Sequence, residues 1–316
     1  FQLFPFFNES SYEQIISLLS ACIKDNQTIF TLQPQNEHEY VEQRLVLNRL
    51  SVFIKKLDAS LTDISTIVAN MRRRKDMHEI DLLTKAVQIT ELAHEAAAHA
   101  IEPEALECEV QASLEYIMLG SNARPAFPSI VATGKNATIL HYMQNMHDLQ
   151  NDQLVVVDIG AAYQGYCADI TRTYPVNGTF NKRQKELYEI VLATQNYIAS
   201  LAKPGMYLNN PDYPEKSLHH QAKTFLKKYH LDDYFVHGIG HYLGLDVHDV
   251  GNPSDPLQEN DVITIEPGIY LPDEQIGIRI EDNYWIVKNG AICLSESLIK
   301  KPDEIEKLVR QKLQNN

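Results

Sequence analysis

Leu154-Val-Val-Val-Asp158-Ile-Gly160 is an apolar run with the length and β-branched content of a buried strand, and an aspartate stands near its end. The region Tyr163-Gln164-Gly165 reads as a turn, and Cys167-Ala-Asp169-Ile-Thr-Arg172 as the return strand. With the turn centred on Tyr163-Gln164, Asp158 and Asp169 are equidistant from it and stand directly opposite each other. Opposed Cβ atoms lie about 5 Å apart, and like charges at that distance destabilise a sheet. A shared proton, an arginine or a cation must offset the repulsion.

A chain of 316 residues suggests roughly two domains, or one large domain with an appendage. Hydrophobic residues at 44% and charged residues at 22% allow a full core. The formal charge of −14 disfavours nucleic acid and anionic membrane as partners. Cys22, Cys108, Cys167 and Cys293 lie far apart without C-x-x-C spacing, which fits reduced thiols and a cytoplasmic protein. No uninterrupted apolar stretch is long enough for a membrane span. Because the chain opens on Phe1 and not Met, a true N-terminus and any signal sequence are expected to be missing.

The expected organisation is a segment 1–70 followed by a larger body from residue 71 to 316. Tyr12, Ile15, Ile16, Leu19 and Ile23 predict a helix, and Met71-Arg-Arg-Arg-Lys75 reads as a solvated, charged linker. Asp76 and Glu79 resemble a capping box that opens a long helix with the stripe Leu82, Ala86, Ile89, Ala93, Ala97 and Ile101. Strands are predicted near 130–133, 138–142, 154–159 and 166–173. A second helix follows from the N-cap Asn181 to Leu201, with the stripe Leu187, Val191, Thr194, Ile198 and Leu201, and Lys203-Pro-Gly205 stops it. A further helix over 216–229 precedes strands at 234–237, 262–266, 276–281 and 284–288. Helix then hairpin, repeated once, is an α+β pattern with internal pseudo-symmetry.

Two more motifs converge on the first. Asp261-Val-Ile-Thr-Ile-Glu266 reads as a buried strand ending on a carboxylate. In Ile276-Gly-Ile-Arg279-Ile-Glu281 the isoleucines take one face, and Arg279 and Glu281 take the other. Glu266 and Glu281 are equidistant from Asp273-Glu274, a second hairpin whose ladder Pro267 and Gly268 interrupt. His237-Gly-Ile-Gly-His241-Tyr-Leu-Gly-Leu-Asp-Val-His248 puts three imidazoles on glycine-rich backbone, which argues against a helix and against a zincin motif.

Four carboxylates with one or two imidazoles form an oxygen-rich donor set suited to Mn²⁺, with Co²⁺ or Zn²⁺ as alternatives. Four negative charges match two divalent ions, and such a pair activates water for hydrolysis.

These residues in this order resemble the pita-bread metallopeptidases, the family of aminopeptidase P, prolidase and methionine aminopeptidase, with likeness from about Met71 onward. The resemblance implies that Asp158 binds one ion, His241 and Glu266 the other, and that Asp169 and Glu281 bridge the two. It implies a bridging hydroxide as nucleophile, with Glu266 also acting as proton shuttle. His141 matches the family histidine near the scissile bond, and His237 and His248 the pair that orients substrate and stabilises the tetrahedral intermediate. Arg279 would support Asp158 from behind. The runs Asp169-Ile-Thr-Arg-Thr-Tyr-Pro-Val-Asn-Gly178, Gly244-Leu-Asp-Val-His-Asp-Val-Gly251 and Lys300-Lys-Pro-Asp-Glu-Ile-Glu306 look most like bacterial aminopeptidase P. The implied reaction is removal of an N-terminal residue from peptides whose second residue is proline. Such enzymes carry a longer N-terminal domain, so residues 1–70 resemble a truncated one, and the loop from Gly268 to Gly277 is shorter than in many. The resemblance allows a homo-oligomer, either dimer or tetramer.

The lesser residues read more plainly. His94 and His99 are expected on the surface or satisfied in the core, His219 and His220 on the surface, and Cys167, Tyr284 and Trp285 in the core. Tyr270 is as suited to the site as to the core. The competing functions are an Xaa-Pro dipeptidase, a metal-free creatinase-like hydrolase, and a non-enzymatic binding module of the same fold. Retention of divalent ions separates the first from the other two.

Overall fold

The computed structural model describes residues 12–32 and 41–313. Two compact units, Phe1–Met71 and Arg72–Asn316, divide the chain. In the first, helices α1 (Tyr12–Lys24), α2 (Val41–Phe53) and α3 (Leu57–Ser60) accompany strands β1 (Ile29–Thr31) and β2 (Leu61–Asp63), which pair in parallel. Leu50, Ile54 and Leu57 form its core, and Ile15, Ile16, Leu19 and Ile23 pack on it from α1 as their spacing predicts. The Tyr12 side chain lies outside the described residues. Helix α4 (Ser65–Arg73) follows.

The larger unit repeats one plan. Helices α5 (Met77–Ala100) and α6 (Glu107–Gly120) precede strands β3 (Arg124–Pro125), β4 (Ile130–Thr133), β5 (Leu154–Ile159), β6 (Ala161–Tyr163), β7 (Tyr166–Cys167) and β8 (Ile170–Pro175). Helices α7 (Lys182–Leu201) and α8 (Leu218–Lys227) then precede β9 (Val262–Ile265), β10 (Gly268–Leu271), β11 (Ile276–Arg279), β12 (Asp282–Val287) and β13 (Gly290–Cys293), before α9 (Pro302–Leu313) closes the unit. Each half contains a three-stranded antiparallel sheet, β4-β5-β8 in the first and β13-β12-β9 in the second. The architecture is α+β, as the alternation of periods predicts. No helix among the described residues is long and apolar enough to cross a membrane.

Capping boxes open α5 at Asp76/Glu79 and α7 at Asn181/Gln184. The predicted stripes of α5 and α7 face the core, except that Leu83 and not Leu82 is the buried residue in the first turns of α5. Arg172 and Asp282 form a fully buried ion pair at 2.7 Å between the halves, and Lys300 and Ser295 complete the satisfaction of Asp282. A pair sealed from solvent is stable only when its remaining donors and acceptors are also met, as they are here.

Several expectations need correction. The first hairpin turns on Gln164-Gly165, with φ of +48° and +91°, and pairs Ala162 with Cys167 and Asp158 with Thr171. Two consecutive positive φ values define a tight hairpin turn that glycine accommodates at its second position. Asp158 and Asp169 are therefore not opposed but offset by two residues. Because side chains alternate with period two, both still share one face. The second hairpin keeps the expected register, Gly268 opposite Arg279 and Leu271 opposite Ile276, and the ladder breaks at Glu266-Pro267.

Segment 138–142 is not a strand; a 3₁₀ turn, Gly134–Thr138, leads into irregular backbone. Segment 234–237 is not a strand either, because a 3₁₀ turn occupies Asp232–Tyr234. His219 and His220 are half-buried, the former 5.3 Å from the Phe235 ring. The cationic run is no solvated linker. Arg73 forms a bidentate pair with Asp261 at 2.9 and 2.8 Å, and buried Lys75 meets buried Asp249 at 2.8 Å, with Arg72 on the other oxygen of that carboxylate.

Candidate metal centre

One cavity of about 590 Å³ is lined by His141, Asp158, Asp169, His237, His241, His248, Glu266, Arg279 and Glu281. These nine residues come from six separate stretches of chain. Asp158 sits in β5, and Asp169 precedes β8. Glu266 directly follows β9 and Glu281 directly precedes β12, while the three imidazoles of 237–248 lie on irregular backbone. That backbone reaches the sheet because Gly240 has no side chain: a Cβ there would stand 2.0 Å from the Thr264 carbonyl oxygen. His241 N–H then donates to Thr264 Oγ1 at 3.0 Å, and Thr264 N–H to the His241 carbonyl at 2.9 Å.

Two of the carboxylates, Asp158 and Glu281, are held by one oxygen and open on the other. Asp158 Oδ2 accepts from Arg279 Nη2 at 2.6 Å, and its Oδ1 is buried without a partner among the described residues. Glu281 Oε2 accepts from Thr171 Oγ1 at 2.7 Å, and its Oε1 is likewise buried and unpartnered. Buried polar atoms are nearly always satisfied, so two orphaned carboxylate oxygens in one cavity call for a cation. Burial, reinforced by neighbouring negative charge, raises the carboxyl of Asp169 well above its ordinary range, with Asp158 the largest of the charge contributions. It raises Glu281 in the same way beside Asp169. Burial is also the main cause of the rise at Glu266, which His241 partly offsets.

His241 presents one ring nitrogen to this cluster of carboxylates. Its Nδ1–H donates to the Tyr242 carbonyl at 3.0 Å, which turns Nε2 toward Asp169 Oδ2 at 3.3 Å and Glu266 Oε1 at 3.6 Å. Donor atoms of Asp169, His241 and Glu281 all lie within 4.8 Å of one another. The donor set of carboxylate oxygens and imidazole nitrogen fits a hard or borderline divalent ion.

His237 and His248 stay neutral. His237 Nδ1 contacts the Gly238 carbonyl at 2.8 Å and Nε2 the Tyr270 hydroxyl at 2.9 Å; burial, then the Arg279 charge, lowers its pKa to about 3. The His248 ring lies 4.2 Å from that of His241, and burial lowers its pKa to about 4. His141 is exposed at the cavity mouth.

Sequence reasoning left Tyr270 undecided, and the fold brings it to the site. Its hydroxyl accepts from Arg279 Nη1 at 2.8 Å, and burial pushes its pKa up to about 12. Asn283, which accepts from Asp169 N–H at 3.2 Å, went unread, although it lies two residues beyond Glu281 on the same face. Phe127, Pro128, Leu140, Met143 and Val247 form an apolar wall of the cavity that no motif announces.

Residues 81–288 match the sequence profile of metallopeptidase family M24. The chain is 36% identical over 275 residues to the Xaa-Pro aminopeptidase of Escherichia coli (strain K12), which covers 79% of this chain and 62% of that one. It is 39% identical over 239 residues to the Xaa-Pro dipeptidase of Pyrococcus furiosus, covering 74% and 66%. The chain thus spans less than two thirds of the length of these curated relatives. Among solved structures, proline aminopeptidase P II from Yersinia pestis superposes with a TM-score of 0.79 at 32% identity, covering 95% of this chain and 74% of that one. The α+β architecture is therefore the pita-bread fold that the sequence resemblance implies.

Proposed function

The chain belongs to metallopeptidase family M24, and on that footing we propose that it is a divalent-metal aminopeptidase that releases the N-terminal residue from peptides with proline in second position. The observation that carries this reading is the pair of orphaned oxygens, Asp158 Oδ1 and Glu281 Oε1, in the cavity that His241 Nε2 also faces. The substrate class follows from the Xaa-Pro specificity in the names of its relatives.

Asp158, Asp169, His241, Glu266 and Glu281 would hold two ions, Mn²⁺ ahead of Co²⁺ and Zn²⁺, which supply an acidified water and a Lewis acid for the scissile carbonyl. Glu266 takes the proton released on attack and delivers it to the departing proline nitrogen. Burial raises its carboxyl above the ordinary range, the direction that favours taking up a proton. Arg279 holds Asp158 and the Tyr270 hydroxyl, and Tyr270 holds neutral His237. His237 and His248 orient the peptide and stabilise the tetrahedral intermediate, and His141 meets the peptide at the cavity mouth. The apolar lining residues Phe127, Pro128, Leu140, Met143 and Val247 limit water in the cavity. We assign catalysis to residues 71–316 and regard residues 1–70 as part of a separate N-terminal domain.

A dipeptidase is the second reading, favoured by the 39% identity to the Pyrococcus furiosus protein. Digestion of Xaa-Pro, Xaa-Pro-Xaa and Met-Ala-Xaa peptides with added Mn²⁺ separates the two. Cleavage of Xaa-Pro-Xaa supports the aminopeptidase, cleavage of the dipeptide alone the dipeptidase, and cleavage after Met neither. A chain that binds no divalent ion and cleaves nothing would sink both.

A further inference from the structure

Glu107 is a fully buried carboxylate with no place in the proposed reaction. It opens α6 as its first residue. Its Oε1 accepts from Thr133 N–H at 2.9 Å and Asn136 Nδ2 at 3.1 Å. Its Oε2 accepts from the Tyr142 hydroxyl at 2.8 Å and His147 N–H at 3.0 Å. All four donors are neutral, and all belong to the segment 133–147 that carries His141. One helical turn further along, Gln111 Oε1 accepts from Asn145 Nδ2 at 2.9 Å, and Asn145 Oδ1 accepts from Val131 N–H at 3.0 Å. Another turn on, Glu115 Oε1 accepts from Ser129 Oγ at 2.8 Å.

Positions 107, 111 and 115 share one helix face by their spacing of four. Beside them runs the buried apolar stripe Val110, Leu114 and Met118. The apolar stripe holds α6 to the core, and the polar stripe holds the 129–147 segment to α6. Ala137 and Tyr142 pack into an apolar cluster with Ile130, Ala132 and Val156, whereas Ile139, Met143 and Met146 near the tip are each more than half exposed.

We propose that Glu107 is the positioning residue for His141, fixing segment 133–147 and with it the Leu140–Met143 edge of the cavity. Hydrogen bonds to an ionised acceptor are about twice as strong as neutral ones, so four converging on one carboxylate hold a loop that backbone pairing does not. The inference rests on the place near the scissile bond assigned to His141 above.

Glu107→Gln tests it, since the variant keeps the volume but replaces one acceptor oxygen by a donor facing other donors. The comparison set is wild type, Glu107→Gln, His141→Ala and the double variant, all with Mn²⁺. Glu107→Gln should lower kcat/KM roughly 100-fold, mostly through kcat, with no further loss in the double variant beyond His141→Ala. Amides of 139–147 should exchange about tenfold faster while those of β5 and β8 keep their protection. Tyr142→Phe, which removes one donor and leaves the carboxylate, should move both readouts in the same direction by less. Additive losses in the double variant, unchanged protection of 139–147, or a uniform loss of protection across the unit would each overturn the proposal. If wild type cleaves no Xaa-Pro peptide, the proposed function falls, and amide exchange alone decides whether Glu107 holds the segment.

Discussion

Arg279 Nη2 lies 2.6 Å from Asp158 Oδ2, on strand β11 of one pseudo-symmetric half and β5 of the other. The contact fixes one oxygen of the carboxylate and turns the second, unpartnered oxygen into the cavity. Arg279 also donates to Thr171 Oγ1 at 3.1 Å, and Thr171 in turn donates to Glu281. One guanidinium thereby orients donors from both halves.

Arg279→Gln should weaken divalent-ion affinity about 10–100-fold, the usual effect of losing a partner that orients metal-binding groups. Calorimetric titration of the metal-free protein with Mn²⁺ measures it. Unchanged affinity would show that Asp158 needs no support from Arg279.

Asp169→Asn should abolish turnover without unfolding the chain. In the metal-free protein it removes a charge that Asp158 and Glu266 repel, so thermal stability in EDTA should equal or exceed that of wild type. Added Mn²⁺ at 100 times its dissociation constant should stabilise wild type by roughly 3 kcal/mol and the variant by much less. Thermal melts with and without ion give both comparisons, and an equal shift in the two proteins would remove Asp169 from the ion site.

Lys75→Met should cost about 3 kcal/mol, because it strips one cation from a carboxylate sealed from solvent. Arg72 remains on Asp249, so folding should survive. Urea denaturation measures the loss. A cost below about 0.5 kcal/mol, typical of surface substitutions, would return the run to the solvated linker its composition suggests.

His94 sets a pH limit on stability. The fully buried ring donates through Nε2 to the Ile170 carbonyl at 3.0 Å and accepts at Nδ1 from the Tyr174 hydroxyl at 3.2 Å, which defines a neutral imidazole. Burial, then the Arg172 charge, lowers its pKa to about 3. In the unfolded chain the ring takes a proton below about pH 6.5, whereas in the folded chain it stays neutral until about pH 3. The unfolded state therefore binds more protons in that window, and stability falls as pH drops from 6.5 toward 3. At pH 5 the cost is roughly 2 kcal/mol, at 1.4 kcal/mol per pH unit. His94→Gln should be less stable at pH 7.5 and should lose less stability on going to pH 5. Parallel slopes for the two proteins would exclude His94 as the source.

Much of this molecule was legible residue by residue. The acids of the cavity stand at strand ends, where period-two alternation decides which face a side chain takes. The predicted turn of the first hairpin was misplaced, yet a slip of two residues preserved the shared face of Asp158 and Asp169. Capping boxes at Asp76 and Asn181 were equally readable, because a cap joins residues three apart.

Contacts between distant parts of the chain were decided by tertiary structure alone. Lys75 and Asp249 are 174 residues apart, and nothing near either one announces the other. The same holds for the segment 138–142, whose apolar, β-prone residues suggest a strand. Glu107, more than 30 residues upstream, captures the Tyr142 hydroxyl and holds the backbone irregular. Local periodicity dictates which side chains share a face. Which distant charge or hydrogen-bond donor that face will meet depends on how the two halves and their helices pack, and that is a property of the folded chain.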